Sequence, residues 1–583
     1  MPRFTDLSTV ARVGASTKPF INALLPSQAA FRVAWSNKDA GGTTQVSYSF
    51  PWADGVASQF ANPYGRGENA AAVTGAVTSG QAAMITKAFG AWSEIANIAF
   101  TQVAETAGGT VGDIRIAFTS AVSAGYWGYS LGVSDGRSNA HGDIWIDDAI
   151  IGQSFAPGTY NYMAMLHEIG HSLGLKHPFE TPKIPAGYDN QRYTIMSYTS
   201  PEKVWWTNPA TGIAEFLVKT PMVYDIQAIQ ALYGANMTTR TGNDTYAFNP
   251  AAPSFEAIWD AGGTDTFSVA TFTNGCTLDL TPGAYSSLAY SGVSLTNNIG
   301  IAFGCTIENA IGGAGADTLL GNELANTLDG GAGADTLRGN GGNDTLQGRA
   351  GNDLLDGGAG NDTLSGGEND DVLIGGAGND TLDGGAGNDT ASYASGSAPV
   401  RVSLAISGAQ ATGGGGNDTL IGIENLIGGT GADILIGDGA ANVLDGGNGA
   451  DQLIGGGGSD ILIGGGGRDI LEGGEGGDVF RFTAMGDISG TAVTSADTIL
   501  DLSRAQGDRI DLSGMDAVKQ TATVNDAFTW IGSGAFTKVA GQLRYVVTNG
   551  VGLVSGDIDG NGTADFAIRI EKAPALTGLD FVL

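Results

Sequence analysis

Two periods of hydrophobic spacing divide the chain. In residues 81–96, QAAMITKAFGAWSEIA, the apolar Ile85, Phe89, Trp92 and Ala96 recur at helical spacing, and FTQV follows as an extended run. Alternating apolar positions in DIRIAFTS (Ile114, Ile116, Phe118) and GDIWID (Ile144, Ile146) predict strands. The segment 160–176 predicts a second helix, and PMVYDIQAIQALYG, 221–234, a third, opened by Pro221 and closed by Gly234. These elements imply a mixed α/β domain that ends near Thr245.

Further on the period becomes nine. Residues 312–392 divide into nine consecutive nonapeptides, among them GGAGADTLR and GGAGNDTLD, and 428–481 into six more. Such a repeat predicts a parallel β-roll, with GGxGxD as the turn and the next three residues as a short strand. Two repeats make one turn of the roll. Leu337, Leu355 and Leu373 should then stack in one column, with Leu346, Leu364 and Leu382 lining the facing sheet. Two related stretches interrupt the array, one from Asp265 to IENAIGGAGADTLLG and one from Asp389 to IENLIGGTGADILIG, an internal duplication.

Composition sharpens this picture. The 583 residues include 95 glycines and carry a net charge of -33. Residues 246–480 hold 30 acidic and four basic side chains (Arg338, Arg349, Arg401, Arg468), which is -26 of that total. Nucleic acid binding needs clustered cations and is excluded; a hard cation neutralising the carboxylates fits better. No run of 18 apolar residues predicts a membrane span, and MPRFTDLSTVARVGASTKPF lacks the apolar core of a Sec-type signal. Cys276 and Cys305 are too few for a disulfide framework, and the duplicated copy has Val400 and Ile421 in their places. They read as small buried apolar side chains, with a disulfide as the alternative.

The segment HEIGHSLGLKH, His167 to His177, fits HExxHxxGxxH at every fixed position. On a helix His167 and His171 lie one turn apart on one face and can both reach one tetrahedral zinc. Glu168 points elsewhere and is placed to take a proton from a water on the metal. Gly174 lets the chain leave the helix so that His177 returns as third ligand. The remaining histidine, His141, fits no such spacing and reads as a loop residue. In the repeats, glycine carbonyls and aspartate carboxylates give the all-oxygen shell that calcium prefers. Gly313 and Gly315 open the set. Its carboxylates are Asp317, Asp335, Asp344, Asp353, Asp362, Asp371, Asp380 and Asp389, then Asp433, Asp451, Asp460, Asp469 and Asp478. Asn326 and Asn442 stand in two of the aspartate places and predict weaker sites. DIDGNGTAD, with Asp557, Asp559, Asn561 and Asp565, echoes an EF-hand loop but lacks its twelfth-position Glu, and reads as a β-turn.

Met196, in TIMSY nineteen residues after His177, looks like a Met-turn. With zinc motif, Met-turn and calcium repeats in this order, the chain resembles the serralysin family of metzincin peptidases. The resemblance implies a multidomain α+β fold, a metzincin-like α/β zinc peptidase domain followed by an all-β parallel β-roll (RTX). It implies Glu168 as general base, Met196 beneath the metal, and Tyr198 as a zinc ligand able to move and stabilise the oxyanion. It also implies a cleft-side strand at HGDIWID, 141–147. A junction calcium site would draw on Arg240, Gly242, Asp244, Asp260, Gly262 and Asp265, and a further pair on Thr306 and Glu308. The tail LDFVL resembles the family's signal for type I secretion. The expected segments are a short propeptide at 1–18, the peptidase domain at 19–245, the roll at 246–481, and a C-terminal β region at 482–583. The expected protein is a secreted, extracellular, monomeric zinc endopeptidase cleaving protein or peptide substrates. The rival is a calcium-dependent adhesin with a vestigial peptidase domain. A repeat-bearing lipase would need a GxSxG elbow, and none occurs.

Overall fold

The computed structural model describes residues 10–14, 19–25, 31–51, 72–73, 76–106, 111–122, 125–130, 142–488, 490–518 and 526–583. They form two compact units, one ending at Asn309 and one running from Ala310 to Leu583. His141 lies outside the described residues, and of the expected propeptide only 10–14 lie within them. No described helix is long and apolar enough to cross a membrane.

In the first unit β1 (Val10–Gly14) pairs antiparallel with β2 (Phe31–Trp35), and helix α1 (Pro19–Leu24) lies between them in sequence. The main sheet holds β3 (Thr44–Ser49), β4 (Ile98–Gln102), β5 (Ile114–Thr119), β6 (Gly128–Ser130) and β7 (Ile144–Asp147). Their order is β4-β3-β5-β7-β6, parallel except where β6 runs antiparallel to β7. Every residue of β5 is buried, as a strand covered on both faces requires. Helix α2 (Ser79–Ile95) starts at a Thr78 cap completed by Gln81 and buries Ile85, Phe89 and Trp92. The Phe89 ring stacks on Tyr48 of β3 at 4.4 Å.

Helix α3 (Tyr160–Ser172) stops four residues short of the expected end at 176. The reason is Gly174, whose φ of 102° closes the helix. Leu175 N–H donates to the Gly170 carbonyl at 2.9 Å and Gly174 N–H to that of His171 at 3.0 Å, a Schellman closure. Helix α4 (Val223–Tyr233) ends at Gly234, φ 84°. Past it, strands 245–247 and 266–268 pair in parallel, as do 256–258 and 299–301. Cys276 and Cys305 are buried thiols in this unit, as expected.

The second unit is the roll. Successive strands on one face pair at a spacing of 18 residues, Leu319 beside Leu337, then Leu355, then Leu373. Leu346, Leu364 and Leu382 do the same on the other face, and all are essentially excluded from solvent. One face continues without a break from strand 318–320 to strand 581–582. The opposite face changes at the duplication: its first sheet closes with strands 416–421 and 410–413, and a new one begins at 401–403. The break follows from register. Thr381 pairs with Thr419 and Thr390 with Asn425, so residues between them are looped out of the 18-residue step.

Candidate active site and cation sites

Three imidazoles converge at the end of α3. Their available nitrogens lie within 4.8 Å of one another. His167 Nδ1 lies 2.7 Å from the Ile195 carbonyl, His171 Nδ1 2.9 Å from that of Leu175, and His177 Nδ1 2.7 Å from Glu180 Oε1. These acceptors fix the ring protons on Nδ1 and leave every Nε2 with a lone pair. The Nε2 atoms of His171 and His177 stand 3.1 Å apart, and that of His167 is buried without a hydrogen-bond partner. Burial pushes His167 down to about 4 and His171 well below its ordinary value, so both rings are neutral. Three convergent imidazole nitrogens suit a cation such as zinc.

Glu168 is buried beside them, with Oε2 unpartnered. Burial raises its pKa to about 8, opposed by the backbone N–H of Ser130. The Tyr198 ring stacks on His167 at 5.6 Å and tilts against His177 at 4.6 Å, with 60% of the residue exposed. Burial first, then the nearby Glu168 charge, raise its phenol to about 12. Met196 is fully buried beneath the helix. A Cβ on Gly170 would meet its Sδ at 2.7 Å, so glycine there allows the close approach.

These groups open onto a cleft of about 330 Å³ walled by Tyr126, Trp127, Gly128, Tyr160, Met163 and Gln191. Its strand wall differs from the expectation. The expected segment 141–147 contributes β7 (Ile144–Asp147), an inner strand between β5 and β6, whereas β6 is the outermost strand among the described residues and its Gly128 lines the cleft. The sequence hides this because a three-residue strand shows no alternation, while Ile144, Trp145 and Ile146 are all buried. Trp127 Nε1–H donates to Asn161 Oδ1 at 2.8 Å and fastens that wall to α3.

Asp225, which the sequence did not single out, holds the Met196 loop. It accepts from Thr194 Oγ1 at 2.5 Å and from the N–H groups of Ile195 and Met222 at 2.7 and 2.9 Å. Burial still lifts its pKa to about 7.

A family model described as Peptidase M10 serralysin C terminal matches residues 224–405 and 383–583, more than half of the chain. The chain belongs to the serralysin family. A Matrixin model matches residues 74–186, which include the three histidines and Glu168. Among curated proteins the chain is similar to Serralysin of Proteus mirabilis, 35% identical over 49% of this chain and 61% of that protein. Serralysin A of Dickeya chrysanthemi is 36% identical over 41% of this chain and 52% of its own length. Metalloprotease AprA of Pseudomonas entomophila (strain L48) is 32% identical over 49% and 61%. The chain thus spans less than two thirds of these serralysin relatives.

The candidate cation sites of this serralysin-family chain are of two kinds. In the first unit Asp244, Asp260 and Asp265 bring carboxylate oxygens within 4.8 Å of one another. Asp265 Oδ1 accepts from Asp244 N–H at 2.8 Å and its N–H donates to Glu308 Oε2 at 2.8 Å, while its Oδ2 is buried without a partner. The Gly242 carbonyl closes against Gly263, Gly262 N–H donates to Asp260 Oδ1, and Thr306 is half-buried nearby in sequence. Arg240 lays its guanidinium over Tyr246 at 5.5 Å.

In the regular turns of the roll an aspartate N–H donates to Oδ1 of the aspartate one turn later: Asp317 to Asp335, Asp344 to Asp362, Asp353 to Asp371, Asp433 to Asp451. Eleven of these side chains, Asp335 through Asp389 and Asp451 through Asp478, bury an Oδ2 that has no donor. Those oxygens meet carbonyls: a Cβ on Gly446 would lie 2.7 Å from both Asp451 Oδ2 and Gly464 O. Acceptors converging without a donor suit calcium. Gly313 N–H satisfies Asp317 Oδ2, Gly429 N–H satisfies Asp433 Oδ2, and the Gly315 carbonyl faces Gly333. The Asn326 and Asn442 amides donate to Asn322 Oδ1 and the Glu424 carbonyl, supplying hydrogen where a cation would otherwise stand. Asp557, Asp559 and Asp565 cluster at a hairpin between strands 551–557 and 566–570, where backbone N–H groups of their own loop satisfy Asp557 and Asp565.

Proposed function

We propose that this serralysin-family chain is a secreted zinc endopeptidase that hydrolyses peptide bonds of extracellular proteins. Residues 19–245 carry the chemistry, 246–481 bind structural calcium, and 482–583 hold a type I secretion signal. The observation that carries the reading is the Nδ1 contact of all three histidines with an acceptor, which turns their Nε2 atoms toward one another beside a buried Glu168 whose Oε2 has no partner.

His167, His171 and His177 would hold the zinc, with Tyr198 as an additional ligand; the bound ion supplies Lewis-acid activation of water and of the scissile carbonyl. Glu168, buried where it lines the cleft, takes the proton of the attacking water and passes it to the departing amine. Tyr198 O–H, carried on a ring packed against His167 and His177, donates to the oxygen that becomes negative. The outer edge of β6 offers backbone groups to an extended peptide. Digestion of casein or gelatin by the full chain in calcium tests the proposal. Activity lost in a zinc chelator and regained with zinc supports it, whereas no digestion by the zinc-loaded chain favours the adhesin.

A further inference from the structure

Where the duplicated insert interrupts the repeats, the ladder of aspartates continues through residues outside any GGxGxD turn. Asp389 closes the first run, and 18 residues later there is no repeat to receive it. Its N–H instead donates to Glu424 Oε2 at 2.8 Å, and its own carbonyl accepts from the N–H groups of Glu424 and Asn425 at 3.1 and 2.9 Å. Asp389 is fully buried and its Oδ2 has no partner. That oxygen and the Gly422 carbonyl both crowd the position a Cβ of Gly384 would take, Oδ2 at 2.6 Å from it. This is the convergence found in the regular turns, with Gly422 standing for the missing repeat glycine. Glu308 receives the Asp265 N–H in the first copy in the same way, again beside an unpartnered Oδ2.

The neighbouring column shows what a closed end looks like. Asp380 N–H donates to Asp418 Oδ1, but Asp418 Oδ2 accepts from Thr412 Oγ1 at 2.9 Å and from Tyr393 Oη at 3.2 Å. Two hydroxyls satisfy the oxygen there. At Asp389 no donor does, and acceptors alone converge.

We propose that Asp389, the Gly422 carbonyl and Glu424 form a further calcium site, which fastens the looped-out insert to the roll. It rests on the reading of the repeats as calcium sites. The acidic oxygens and carbonyl form the hard-donor set calcium takes, and the ion ties strand 390–392 to strand 425–427 across the insert.

Glu424→Gln keeps an oxygen for the Asp389 N–H but removes the charge, and Glu323→Gln, at an exposed carboxylate, controls for charge alone. Calcium per chain is measured on the full protein after equilibrium dialysis, and amide hydrogen exchange of residues 389–425 is followed through a calcium titration. Expected are one calcium fewer in Glu424→Gln and about a tenfold higher midpoint for protection of that segment, with the other turns and the control unchanged. Equal stoichiometry and midpoints in all three proteins overturn the site. So does equal loss in both variants, which would reflect charge alone. Should Glu424→Gln not fold, the unaltered chain decides: protection of 389–425 in the same calcium step as the repeats supports the site, and protection already complete in chelator overturns it. A chain that binds no calcium at all refutes the parent reading instead.

Discussion

Asp225, in the first turn of α4, accepts a 2.5 Å hydrogen bond from Thr194, thirty-one residues earlier, and so ties the start of one helix to the loop that carries Met196. Its other oxygen takes two backbone N–H groups. Asp225→Asn replaces one acceptor oxygen with an NH₂ that faces donors. The loss should be about 1–3 kcal/mol, because the groups left behind are buried. Chemical denaturation checks the stability, and zinc retention should weaken with it, since Ile195 in the same loop holds His167.

Glu168→Gln should keep zinc and lose nearly all peptidase activity, because an amide cannot take the proton from water. Metal content and turnover are read on one preparation. Turnover equal to the parent protein would remove Glu168 from the chemistry.

Tyr198→Phe should lower kcat more than it raises KM. The ring contacts with His167 and His177 survive, and only the hydroxyl that meets the developing charge is lost. Steady-state kinetics with one peptide separate the two, and a change in KM alone would assign the residue to substrate binding.

Much of this arrangement was legible in the sequence. The 18-residue step of the roll follows from one buried leucine per nonapeptide, and the return of His177 follows from Gly174. What was hidden depends on tertiary neighbours. β6 is too short to show a period. Asp225 looks like any acidic residue in a first helical turn, and only the fold sets it against Thr194 and Ile195. Glu424 lies outside the GGxGxD pattern, so its place in the ladder becomes visible only when the insert is seen looped out.

Without calcium the roll should lose its structure at neutral pH and recover part of it in acid. Burial first, then neighbouring aspartates, raise Asp371, Asp451 and Asp469 to about 7 and Asp335, Asp344, Asp380 and Asp460 to about 6, from an ordinary 3.8. In the folded metal-free roll these carboxyls hold protons that the unfolded chain has released. Stability in chelator therefore falls as pH rises from about 4 to about 7. Circular dichroism of the full chain in chelator should show more β-structure at pH 5 than at pH 8. Added calcium should restore it at pH 8 and added magnesium should not. Full β-structure in chelator at pH 8 would refute the expectation.

The aspartate ladder also has a polarity. Every link runs from the N–H of one turn to the carboxylate of the next, and the last two acceptors, Asp497 for Asp469 and Asp508 for Asp478, lie beyond the final repeat. Substituting Asp317 at the head of the first run keeps its backbone N–H and leaves every later link made, but takes away the acceptor of the Gly313 N–H. Removing Asp497 or Asp508 strands a buried N–H in the terminal turn, which in turn steadies the one before it. Each column of the second run is therefore closed at its far end by an acceptor that is not part of the repeats.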